Sequence, residues 1–181
     1  MGRARRWSRV FVGVVGLICG LGGCAVITTV EVKPSDCINP PTGDCAGGAN
    51  ESRILEVRLY QLKQMIDPCQ IDIDAFAAGK DLDVLKSALV ETQRSDALRW
   101  AFKVTANEPR VVGSWELLKD TQYVLAVAVG RGKSANTAQV IPISRVKNGT
   151  GMFPTLHIKG YDICLDHPCE AALGMGGACP R

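Results

Sequence analysis

The sequence predicts a mostly β fold, a two-sheet antiparallel β-sandwich with one short helix. Three observations carry that expectation. Short apolar runs recur from residue 54 to residue 165, separated by Gly, Pro, Asn and Asp, which is the punctuation of a sandwich and not of βαβ units. Several runs alternate apolar and polar side chains, the period of a strand with one buried face. Only residues 81–92 place their leucines, Leu82, Leu85 and Leu89, at helical spacing.

The chain opens on an export signal. Arg3, Arg5, Arg6 and Arg9 form a positive region, and residues 10–21 form an apolar run. That run is too short to cross a bilayer comfortably, which takes roughly 20 apolar residues. Gly22 and Gly23 then lead into Cys24. Charge, apolar run and small-residue cleavage site in this order read as a signal peptide over residues 1–23. Leu21-Gly22-Gly23-Cys24 resembles the bacterial lipobox, whose cysteine is acylated and becomes the first residue of the mature chain. Lipidation makes the protein anchored to a membrane rather than spanning it, and two or more acyl chains hold stably where one does not. Ala25, where an aspartate would signal inner-membrane retention in enteric bacteria, points to the outer membrane.

Composition bounds what the mature chain does. The formal charge of +3 belongs to the signal arginines, and the remainder is near neutral. It holds no dense basic patch of the kind that neutralises phosphates, so no nucleic-acid partner is expected. Six cysteines follow Cys24: Cys37, Cys45, Cys69, Cys164, Cys169 and Cys179. An even number in an exported chain reads as disulfides, with 15 possible pairings. Short loops close at low entropic cost, which favours Cys37–Cys45 and Cys164–Cys169 and leaves Cys69 for Cys179.

Residues 24–52 read as a lipidated N-terminus and flexible tether, because Pro34, Pro40, Pro41 and several glycines accompany few large apolar residues after Val32. Val26 to Val32 is β-branched enough to pair locally, yet linker is the expectation. The folded domain is expected over residues 53–166. Its first strand is 54–62, where Leu55, Val57 and Leu59 alternate with Glu56, Arg58 and Tyr60. Residues 63–78 read as a long loop. The helix over 81–92 has Asp81 or Asp83 to cap it. Strands follow at 98–104, at 111–118 (interrupted by Gly113) and at 123–129. The last is nearly all apolar and so belongs inside its sheet. Residues 139–146 contain Pro142 and belong at an edge. Strands at 153–158 and 161–165 complete the sheets, and residues 167–181 form an irregular Gly- and Cys-containing tail.

Catalytic signals are weak. His157 lies in an alternating strand, where a packed or solvent-facing role outweighs catalysis. Cys164, His167 and Cys169, with Asp162 or Asp166, have zinc-like proximity, but a disulfide outweighs zinc in an oxidising compartment. Asp67, Asp72 and Asp74 lack the glycine of an EF-hand turn. No Gly-x-Ser-x-Gly elbow and no phosphate loop occur. No catalytic residue, metal site, cofactor or small-molecule substrate is therefore expected, apart from the covalent lipid on Cys24.

One combination is more specific. A lipobox and polar stretch precede Leu55-x-Val57-x-Leu59-Tyr60-Gln61-Leu62. A loop ending at Phe76, a short leucine helix and Asp120-Thr121-Gln122-Tyr123-Val124-Leu125-Ala126-Val127-Ala128 follow. This resembles the outer-membrane lipoprotein of the type VI secretion system, the TssJ family, over residues 54–165. The resemblance implies a transthyretin-like sandwich without enzymatic activity, on the periplasmic face of the outer membrane. It also implies a partner, the periplasmic C-terminal domain of a TssM-like inner-membrane subunit. The partner-binding loop of the family maps to residues 65–73, with Met65, Ile66, Asp67, Ile71 and Ile73 as the contact residues. Apolar residues in a loop on a rigid scaffold suit such a role. A lipid-anchored binding module of another envelope assembly would share the same physical features.

Overall fold

The computed structural model describes residues 26–39, 54–92, 94–106, 108, 111–130, 137–144 and 153–169. Eight strands and three short helices occur among them: β1 (Val26–Ile38), β2 (Leu55–Leu62), α1 (Ile73–Ala77), α2 (Asp81–Leu85), α3 (Ser95–Leu98), β3 (Arg99–Val104), β4 (Val111–Leu117), β5 (Tyr123–Val129), β6 (Ala138–Pro142), β7 (Leu156–Gly160) and β8 (Asp162–Leu165). They form two four-stranded sheets, β4-β1-β7-β8 and β3-β2-β5-β6. The two-sheet sandwich expected from the sequence is therefore the fold. The expected signal peptide, Cys24, Cys45, Cys179 and residues 170–181 lie outside the described residues.

The tether expectation is corrected. Residues 26–38, assigned to a flexible linker, form an interior strand of the first sheet, so the sandwich begins at Val26 and not near residue 53. This strand changes partner midway. Val26 to Val32 pairs antiparallel with β4, and Val32 onward pairs parallel with β7. Pro34 obscured the strand in the sequence, because proline removes a ladder donor. It is tolerated here because pairing with β4 has ended at Val32 and the register with β7 shifts between Pro34 and Ile38. The β1–β7 pair also departs from the purely antiparallel expectation.

Alternation sorts side chains into the space between the sheets. Val30 and Val32 of β1, Leu55, Val57 and Leu59 of β2, and Val124, Ala126 and Ala128 of β5 meet there with Leu156, Ile158 and Ile163. The edge where β3 and β4 face each other is closed by aromatics. Trp100 lies 5.0 Å from Phe102 and 6.3 Å from Trp115, ring centre to ring centre. Gly113 is the reason Trp100 fits: a Cβ at that position would run into the indole. The glycine that interrupts the strand pattern in the sequence is thus a close-approach site.

Two expectations for strands hold. β5 lies between β2 and β6 and is buried on both faces, and Pro142 belongs to the edge strand β6. A third is corrected: β2 is not half-buried but covered on both faces. The cover is the segment from Lys63 to Leu98. It leaves the end of β2 and returns to it, where the Lys63 amide donates to Ala88 O at 2.8 Å and the Val90 amide donates to Gln61 O at 3.2 Å. The helix expected over residues 81–92 stops at Leu85, and Leu89 instead bridges to Leu62. The loop expected over residues 63–78 contains a single 3-10 turn, Pro68–Gln70, and α1.

Gln61 ties the two sheets together at one end. Its side chain is fully buried. Nε2 donates to Ala97 O and Glu116 O, both at 2.8 Å. Oε1 accepts from the Leu118 amide at 2.8 Å and the Thr121 hydroxyl at 2.5 Å. Every hydrogen-bonding position of the amide is used. Gln61→Leu would leave those buried groups unpaired, at about 1–3 kcal/mol for each one left unsatisfied. A loss of about 3 kcal/mol or more in urea unfolding is expected, and a loss below ~1 kcal/mol would contradict this role.

Candidate functional site

The residues singled out in the sequence, Met65, Ile66, Asp67, Ile71 and Ile73, lie in the segment that covers the outer face of the second sheet. The structure divides them. Met65 is 66% exposed. Ile66, Ile71 and Ile73 are half-buried and pack against Tyr60, Leu62, Phe76, Leu125 and Val127 of a second apolar cluster. Asp67 is exposed, and its carboxylate accepts from the Cys69 amide at 2.9 Å, capping the 3-10 turn.

The loop is held by local chemistry. The Asp72 carboxylate caps α1, accepting from the amides of Asp74 at 3.0 Å and Ala75 at 3.3 Å. Gly79, with φ at 75°, lets the chain turn after it. A five-residue helix is far below the length at which helices persist alone in water. Docking holds it: Phe76 is fully buried against Tyr60, edge to face with ring centres 5.5 Å apart, and full burial of such a ring contributes about 1.5–3 kcal/mol. Cys69 is also disulfide-bonded, as is Cys37. The expected pairings Cys37–Cys45 and Cys69–Cys179 involve cysteines outside the described residues.

Beneath this cover lies a charged network that the sequence did not reveal. Asp81, 1% exposed, accepts from the Tyr60 hydroxyl at 2.6 Å and from Arg99 Nη1 at 3.0 Å. Arg58 Nη1 stands 3.7 Å from its other oxygen and donates to Phe76 O at 2.8 Å. Asp81 therefore serves the sheet face and not the helix cap expected of it; the residue at the cap position is Lys80, which makes no side-chain capping bond. Burial alone would push the Asp81 carboxyl up, but hydrogen bonds from Tyr60 and Arg99 outweigh it and hold the carboxyl below its ordinary value. Burial raises the Tyr60 phenol, and the hydrogen bond to Asp81 raises it further, so Tyr60 remains a donor. Asp, Tyr and Arg at scattered positions carry no sequence pattern that would join them.

The other candidates resolve simply. Cys164 and Cys169 form a disulfide, which takes up the two thiols a zinc site would have used. Asp67 and Asp72 cap backbone turns. His157 is lowered below its ordinary value, by burial first and then by Lys33; it pairs across the strands with Cys164. Among the described residues no three His, Cys, Asp or Glu side chains gather closely enough to hold a metal ion. A shallow open groove at one end of the sandwich is lined by Lys63, Lys119, Thr121, Tyr123, Pro142 and Ser144.

The chain has a TssJ-like β-sandwich fold, with a fastened, helix-bearing excursion over one sheet. In solved structures it resembles Serratia marcescens Lip, a membrane-bound component of the type VI secretion system, at a TM-score of 0.55 and 12% identity, covering 77% of this chain and 96% of that one. It likewise resembles the T6SS lipoprotein TssJ1 from Pseudomonas aeruginosa, at 0.54 and 18% identity, covering 80% and 98%. A chain in the structure of the T6SS protein TssM C-terminal domain from EAEC aligns at 0.50 and 13% identity, covering 77% and 96%. At these identities the likeness is one of fold. No protein-family profile and no curated protein sequence matches the chain.

The Asp81 network predicts acid sensitivity. A carboxyl whose folded pKa lies below its unfolded value, about 3.9, contributes stability that is complete above the unfolded value. That contribution is lost as pH falls through the folded one. Asp81→Asn is expected to cost about 3 kcal/mol at pH 7, since it leaves Arg58 and Arg99 facing a neutral group. The two stability curves should converge as pH falls from 5 to 2, and a gap independent of pH would contradict the assignment.

Proposed function

We propose that this protein is the lipid-anchored outer-membrane component of a type VI secretion membrane complex. In this role it holds the periplasmic C-terminal domain of a TssM-like inner-membrane subunit to the outer membrane, without enzymatic activity. The observation that carries the proposal is a conjunction: the Leu21–Cys24 lipobox-like motif stands directly before the first strand of a TssJ-like sandwich. The acyl groups on Cys24 supply membrane affinity, and the sandwich supplies a rigid platform. The excursion over the second sheet supplies the binding loop.

Preorganisation supports that loop. A segment already ordered by caps, a disulfide at Cys69 and docking of Phe76 loses little further entropy when it binds. Met65 is its most exposed apolar side chain and fits an interface anchor. Ile66, Ile71 and Ile73 are committed to the sheet beneath. They shape the loop more than they reach outward.

Two outcomes test the proposal. Cys24→Ala should abolish incorporation of a fatty-acid analogue in cells, and equal labelling of parent and variant would exclude the anchor. Met65→Asp places a charge in a desolvated contact and should weaken capture of a TssM-like periplasmic domain by about 2–5 kcal/mol, with a nearly unchanged melting temperature. Undiminished binding would remove Met65 from the interface. Ile66→Asp is a poorer probe, because its half-buried side chain couples binding to folding.

A further inference from the structure

We infer that the end of the sandwich where β1 starts lies directly against the bilayer, with the strands standing away from the membrane. This rests on acylation of Cys24, the anchoring proposed above. The chain from Cys24 to Val26 spans two residues, which reach at most about 7 Å. Val26 is already registered opposite Leu117 in the first sheet. A flexible tether over residues 24–52 would instead have allowed a root-mean-square separation of about 30 Å. The polar headgroup layer on one side of a bilayer is about 5–8 Å deep. An acylated Cys24 therefore holds the first residues of β1 at or within that layer.

The elements meeting at this end are set by the hydrogen bonds already described. Leu118 and Thr121 bond to Gln61, and the Gln122 amide donates to Leu62 O at 2.9 Å. The Ile143 amide donates to Gln122 O at 2.8 Å. The starts of β1 and β5 and the ends of β2, β4 and β6 thus share one end. Its chemistry suits an interface. Ile27, next to the anchor, is 58% exposed. Lys119 is exposed on the β4–β5 turn, and a lysine there can lay its aliphatic stem on the surface while its ammonium stays hydrated. Among the described residues, Asp120 adjoins Lys119 and Lys63 pairs with Glu91 at 2.8 Å. Short covalent reach drives the apposition. The outer face of the second sheet, with the half-buried isoleucines, then faces sideways along the membrane.

The test uses acylated full-length protein in vesicles of phosphatidylethanolamine and phosphatidylglycerol. A photoreactive p-benzoylphenylalanine replaces Lys119 at this end or, separately, Thr105 at the opposite end, just after β3. Lipid adducts several-fold more abundant at position 119 than at 105 are expected. A twelve-residue Gly/Ser spacer inserted between Ala25 and Val26 should erase the difference. Equal adducts at both positions in protein shown by mass spectrometry to be acylated would overturn the apposition alone. Protein–protein adducts at 119 in place of lipid would overturn it in favour of self-association through this end. Absence of acyl mass on Cys24 would overturn the anchor and the apposition together.

Discussion

The sheet β3-β2-β5-β6 cannot leave either face to water, and most of the architecture answers that constraint. Leu55, Val57, Leu59, Val124, Ala126 and Ala128 require the first sheet on one side. Tyr60, Leu62, Leu125 and Val127 require a second cover on the other. Antiparallel sheets often have one solvated face, but β5 has almost no polar residue to offer. The excursion from Lys63 to Leu98 therefore carries its own apolar underside, in Phe76, Leu85, Ala88 and Leu89. The same residues that hide the sheet set where the exposed loop stands.

A cover that lies on a sheet must satisfy the polar groups it traps. Arg58 and Tyr60 point outward from β2 and become buried when the excursion docks. Asp81 enters from α2 and pairs with both, with Arg99 of β3 completing the group. Removing one member of a buried charged group costs more than the assembled group contributes, because the remaining charges lose their partners. The network therefore favours one docking position for the excursion over alternatives. Gln61 has the same effect between the sheets, since an amide with four partners tolerates little displacement.

The proposed function draws on the stiffness these interactions produce. In the proposed role the protein carries load between two membranes, and a loop docked on a sheet through caps, a disulfide and a buried phenyl ring is suited to it. On the anchoring proposed above, the strand that begins within two residues of Cys24 would extend this rigidity toward the lipid. The first sheet, Gln61 and the excursion form one connected body.

Local pattern in the sequence was enough for the sandwich class, for β5 as an interior strand, for the edge position of Pro142 and for the Cys164–Cys169 pairing. Each depends on period, composition or loop length, which are properties of neighbouring residues. Local pattern was also the source of the errors. Pro34 and the polar residues after it read as linker, because nothing nearby shows that β4 pairing ends at Val32 just where the register with β7 loosens. Arg58 and Tyr60 read as solvent-facing, because their burial depends on Asp81, which lies more than twenty residues away. The loop at Met65 was singled out only through family resemblance, and its division into one exposed methionine and three docked isoleucines was decided by the sheet beneath it. Strand period is written in adjacent side chains; partner choice and burial of charge arise only when distant segments meet.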